Sequence, residues 1–171
     1  MDSTGAATAL AAVAAAGVFE GVALFLSAAD PVPSYNDPSQ DAKELLRGWR
    51  RMFPEAKAFQ IKVIALGTAA AATTAWGLRD GSPRAAAAFG LAAAANVAIV
   101  AHTMRNMMPL NNHLMAAGEA EKEGDASIAA KLQQARTGLG RWGRLHSLRT
   151  ALGAVALGAS LYGAHSLLTS K

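Results

Sequence analysis

Trp142, His146 and Arg149 stand at i, i+4 and i+7 in the stretch RWGRLHSLR, so on a helix they share one face. An aromatic ring, an imidazole that titrates near neutral pH and a permanent cation form a set that can supply a stacking wall, a base and an anion partner. Asn111 and Asn112, in MPLNNHL, add amide hydrogen-bond donors, and His102 closes the apolar run just before them. Arg141 and Arg144 fall off the shared face and suit lipid headgroups. Each residue also has a plainer reading: Trp142 and the arginines as interface anchors, His146 as a packed histidine, Asn111 as a cap on a turn. His165 has no polar neighbours in sequence and is expected to be structural.

Glu20 interrupts an apolar run from Gly5 to Ala29. A carboxylate at that depth in a membrane costs several kcal/mol unless neutralised or paired, so it is expected to face the interior. Lys62, His102 and Arg149 are the partners within reach, with Asn96 as the partner of a protonated carboxyl. Glu20 is then either a structural pair, a group that tunes His146, or the base itself.

The elements that must position these residues follow from composition. The chain of 171 residues is 52% hydrophobic and 16% charged, below the roughly 25% charge usual in soluble domains. Four segments, approximately 5–29, 59–78, 85–104 and 150–170, reach the roughly 20 residues that a bilayer crossing requires. The start, MDSTG, lacks a basic signal-peptide region, and the first run is expected to be retained as a span. Gly81 and Pro83 predict a tight hairpin between the second and third spans. A soluble alanine-rich bundle is disfavoured because Ala85–Val100 offers only Asn96 to water. The fold class expected is all-α: one integral membrane four-helix bundle over residues 1–171.

Two connections carry further helix. In the first, Ser39 can cap a helix through Phe53 that places Leu45, Leu46, Trp49, Met52 and Phe53 on one face, suited to lying in the interface, with Pro54 resetting the chain. In the second, Pro109 can open a helix over about Leu110–Glu121, Glu123 to Asp125 turn, and Asp125 or Ser127 can cap a long amphipathic helix that runs into the fourth span. Gly138, Gly140 and Gly143 weaken that helix or mark close packing.

Charge constrains partners and orientation. The net charge of +4 sits beside apolar runs instead of interleaving with aromatics, so a lipid bilayer, not nucleic acid, is the expected partner. Most Lys and Arg lie in the two long connections, which predicts both in the cytoplasm and the termini on the opposite side. The sequence has no cysteine, which excludes disulfides and thiolate chemistry. The four histidines show no metal-ligand spacing, and neither a metal nor an organic cofactor is expected.

Thr103, then Met108-Pro109-Leu110-Asn111-Asn112-His113-Leu114, then Trp142 to Arg149, resemble the anthrone oxygenase-like family of small four-span membrane proteins, which includes noranthrone monooxygenase-like members and a domain of unknown function. The order of a small-residue first span, a proline-bearing loop with a Trp-containing helix, a Gly/Pro hairpin and the two motifs fits across nearly the whole chain. The resemblance implies a monooxygenase that oxidises an aromatic polyketide or similar quinone precursor with O2, assisted by a base and needing no evident metal or flavin. Such chemistry requires a base, an oxyanion partner and a dry pocket of aromatic size. The candidates are His146, Arg149 and Glu20 for catalysis, and Asn111, Asn112, Trp142, His102 and Trp49 for an apolar aromatic substrate entering from the bilayer. The alternative is a non-catalytic membrane subunit or scaffold, in which the same tryptophans and arginines dock lipid or a partner and small-residue faces support a homo-oligomer or membrane complex.

Overall fold

The computed structural model describes residues 3–29, 31–122 and 128–169. Every regular element among them is helical: α1 (Ser3–Ala28), α2 (Val32–Tyr35), α3 (Ala42–Leu78), α4 (Pro83–His102), a π-helical turn (Thr103–Met107), α5 (Met108–Lys122) and α6 (Ile128–Thr169). Four helical stretches, one on each of α1, α3, α4 and α6, are long and apolar enough to cross a membrane. α1 packs on α3 and α6, and α4 packs on the same two, which makes a square with α1 and α4 on its diagonal. Leu10, Phe25, Leu66, Trp76, Leu91 and Leu161 stand exposed around the outside, as a multi-pass bundle in lipid requires.

Two helices are far longer than a bilayer. With 37 residues in α3 and 42 in α6, a rise of about 1.5 Å per residue gives lengths near 55 and 63 Å, against a hydrocarbon core of about 30 Å. The excess projects on one side, where the starts of α3 and α6 join α2 and α5 in a lobe built on Tyr35, Leu46, Trp49, Leu114, Leu139 and Trp142. The long helix leading into the fourth span is thus present as one element with that span.

Two proline positions depart from the expectation. Residues 42–53 do not form a separate helix lying in the interface; they are the first turns of α3, which continues through Pro54. The reason is packing: Leu46 and Trp49 are buried in the lobe, with Met52 and Phe53 against it, so tertiary contacts hold the helix axis that the missing N–H would weaken. The cap is Asp41, whose carboxylate accepts from the Lys43 N–H at 3.2 Å, while the Ser39 hydroxyl donates to Asp37. Pro109 likewise opens no new helix after a loop. It occupies the second position of α5, directly after the π turn, so the chain stays helical from α4 onward. The expected turn at residues 123–125 and the caps at Asp125 and Ser127 lie outside the described residues.

Glycines mark the close approaches. A Cβ on Gly143 would stand 2.9 Å from Val32 and one on Gly138 3.1 Å from Leu114, so these positions serve packing of α6 against the lobe. The loop ahead of α3 is tied to α6 by Arg136, which donates to the carbonyls of Asp37 and, at 3.0 Å, Gln40. Within that loop the Ser39 hydroxyl and N–H both donate to Asp37, and together with the nearby Arg136 charge they hold its carboxyl below the ordinary carboxylate range.

Candidate functional site

The shared face on α6 is real and points inward. Trp142, His146 and Arg149 are all buried, whereas Arg141 and Arg144 are exposed. The Trp142 and His146 rings stack at 4.9 Å with an interplanar angle of 5°. The indole N–H donates to Asn111 Oδ1 at 3.0 Å, which joins the two sequence motifs directly. Trp49 meets Trp142 edge-on at 6.3 Å and stacks on Phe53 at 4.6 Å, so it backs the site as a second layer.

His146 has a defined hydrogen-bond pattern. Its Nε2 lies 3.3 Å from the Ala23 carbonyl oxygen, an atom that only accepts, so Nε2 carries the proton and in the neutral ring Nδ1 holds the lone pair. Nδ1 is buried and has no partner among the described residues. One turn further, Arg149 donates through Nη2 to Gln60 Oε1 at 2.6 Å and sits 5.6 Å from the centre of the Phe19 ring. No carboxylate pairs with Arg149 among the described residues, and its Nε is buried without a partner. A buried guanidinium held by one neutral amide keeps an unspent preference for an anion.

These groups meet at one cavity of about 640 Å³ between α3 and α4, floored by α6. Its polar wall is Lys57, Gln60, Thr68, Thr103, Asn111, Trp142, His146 and Arg149; the remainder is apolar, including Leu26, Met52, Phe53, Ile64 and Met108. That size falls within the range of about 300–1,000 Å³ common for small-molecule sites. Ile61, Val97 and Met104 line the cavity and are also exposed on the outside of the bundle, so it opens sideways at the level of the apolar spans. The π turn supplies Thr103 and Met104 to the wall, a placement typical of such turns at functional sites.

The other sequence candidates lie elsewhere. Glu20 is buried but off the cavity wall, packed against Gly153, where any Cβ would collide with its carboxylate. One of its oxygens is buried without a partner, and it forms no ion pair among the described residues. Lys62 is exposed, and His102 is engaged by the Leu145 carbonyl at 3.1 Å and by the Asn106 amide at 3.0 Å. His102 thus ties α4 to α6 from outside the cavity. Asn112, His113 and His165 are exposed. Among the described residues no three His, Asp or Glu side chains gather as metal ligands.

Gln60 is the site residue that sequence reasoning missed. The signal was available: Gln60, Ile64, Gly67, Ala71 and Thr74 recur at helical spacing and all are buried, so a neutral polar residue heads the inward stripe of the second span. A family model described as Anthrone oxygenase matches residues 49–159, a stretch that holds every polar residue of the cavity wall and leaves out Glu20. No curated protein and no solved structure matches the chain.

Proposed function

Because the chain belongs to the anthrone oxygenase family, we propose that it oxidises a flat phenolic compound with an acidic methylene, of the anthrone type, with O2 as co-substrate. The observation that carries this reading is that His146, whose buried Nδ1 has no partner among the described residues, and the cation of Arg149 both line one apolar cavity. His146 takes a methylene proton, and the negative charge moves onto the ring oxygen, where Arg149 and amide donors stabilise it. The carbon then gives its electrons to O2 and a C–O bond forms. The resulting hydroperoxide loses the second methylene hydrogen as a proton while the O–O bond breaks, leaving a carbonyl and one water. One oxygen atom ends in the product and the other in water, so no external reductant is required. The apolar walls keep bulk water away from the enolate, and the sideways opening admits a substrate dissolved in the bilayer. Glu20, off the cavity wall, does not touch the reacting atoms in this reading.

Measuring oxygen uptake and quinone formation in membranes that contain the protein tests the proposal. His146→Ala is expected to lower the rate by about 10²-fold or more, the usual contribution of a placed base, and Arg149→Ala to weaken both binding and rate. Quinone formation no faster than in empty membranes would sink the reading for that substrate; equal rates in both variants would move the site elsewhere. We also propose that the lobe formed by the long connections faces the cytoplasm, from the excess of Lys and Arg there. Since the chain has no cysteine, single cysteines placed at Gln40 and Gly81 report sidedness by labelling in intact cells. Labelling of Gln40→Cys from outside reverses the assignment.

A further inference from the structure

Gln60 offers two different groups to two different neighbours. Arg149 only donates, so the Gln60 oxygen must face it, as the 2.6 Å bond requires. The Gln60 amide nitrogen is left as a donor with no acceptor among the described residues, on a side chain only 5% exposed that lines the cavity. A ligand oxygen in the cavity would give that donor an acceptor. Arg149 also has a nitrogen, Nε, without a partner among the described residues. Their mutual hydrogen bond holds the two sets of donors next to each other on one wall.

We infer that Gln60 and Arg149 form a two-point oxygen clamp, in which Gln60 aims the guanidinium and donates its own amide, and that the clamp selects ligands carrying two neighbouring oxygens. A ring carbonyl flanked by a hydroxyl fits this chemistry: the two oxygens share one proton between them and turn their remaining lone pairs outward to two donors. A ligand with a single isolated carbonyl satisfies one donor and leaves the other buried and unpaired. The inference rests on the functional reading above for the kind of molecule that enters. It adds the residue and the substituent pattern that decide which of those molecules is held.

Two quinone probes test it, with or without turnover: unsubstituted anthraquinone and an anthraquinone bearing one hydroxyl beside its carbonyl. Binding to the purified full-length protein is followed by quenching of tryptophan fluorescence, since Trp142 lies on the cavity wall. The wild type is expected to prefer the hydroxylated probe by about tenfold, one well-made hydrogen bond's worth. Gln60→Leu removes both the aim and the donor and is expected to erase the preference. Gln60→Glu keeps a partner for Arg149 and so guards against a folding defect, yet it lacks the donor and is expected to lose the preference while unfolding at the wild-type temperature. Retention of the preference in both variants overturns the clamp, as does a wild type that binds both probes equally or neither. If the preference depends on Gln60 but no anthrone is oxidised, the clamp stands and the oxygenase reading falls.

Discussion

The two ends of this bundle are packed from units of different size. At one end Ala9, Ala12, Ala70, Ala71 and Ala92 surround the single ring of Phe89, and α4 approaches α6 so closely that a Cβ on Gly163 would stand 2.8 Å from that ring. At the other end Tyr35, Leu46, Trp49, Met107, Leu139 and Trp142 fill the lobe. One-carbon side chains let helix backbones approach closely, whereas indoles and long aliphatics hold helices apart. The cavity lies where the second kind of packing replaces the first. The alanine end fixes the helix axes, and the aromatic end supplies walls and the space between them.

Exchanging unit sizes should break this division. Trp49→Ala removes the second layer behind the site and is expected to cost about 3–5 kcal/mol, as for other buried large-to-alanine changes; thermal unfolding in detergent measures it, and a loss below about 1 kcal/mol would mean that the lobe does not support the bundle. Gly163→Val forces α4 and α6 apart at the alanine end, with an expected cost of about 1–3 kcal/mol. That variant should still bind a quinone probe, because the cavity lies at the other end; lost binding together with retained folding would show that the ends are not separable. Asn111→Ala strands the buried Trp142 N–H, and a double-mutant cycle with Trp142→Phe is expected to give a coupling of about 1 kcal/mol. Additive effects would mean that the link between the two motifs is only geometric.

The smallest expected effect is at Asp37, on the loop leading to the lobe. Its carboxyl is held below the ordinary 3.8 by the Ser39 hydroxyl and N–H, so its stabilising contribution is complete above about that pH and is lost as pH falls through the lower folded value. Asp37→Ala is therefore expected to lower the unfolding temperature slightly at neutral pH and to converge on the wild type in strong acid. A difference that persists or grows in acid would contradict the assignment.

Much of this division was legible in the chain. Four apolar runs fix the spans, and the i, i+4, i+7 spacing of Trp142, His146 and Arg149 placed them on one inward face, with Arg141 and Arg144 turned out. What escaped was set by contacts between distant segments. Pro54 reads as a break locally, but the burial of Leu46 and Trp49 keeps α3 continuous. Glu20 was expected beside Lys62, His102 or Arg149, or protonated beside Asn96, yet it packs against Gly153, a neighbour that no residue type announces. Gln60 is hard to read from the second span because a neutral amide carries no charge signal, and its burial is set by the packing of α3.

The π turn at Thr103–Met107 acts as a phase shifter. It adds one residue to a single helical period, and one residue corresponds to about 100° of rotation in an α-helix. Everything downstream on α5, including the Asn111 side that faces Trp142, therefore points where it does because of that extra residue. A chain in which the insertion was lost would keep its hydropathy profile and its span count, and would present a different azimuth of α5 to the cavity. Length alone, to within a single residue, thus becomes a means by which such a bundle exchanges one polar wall for another.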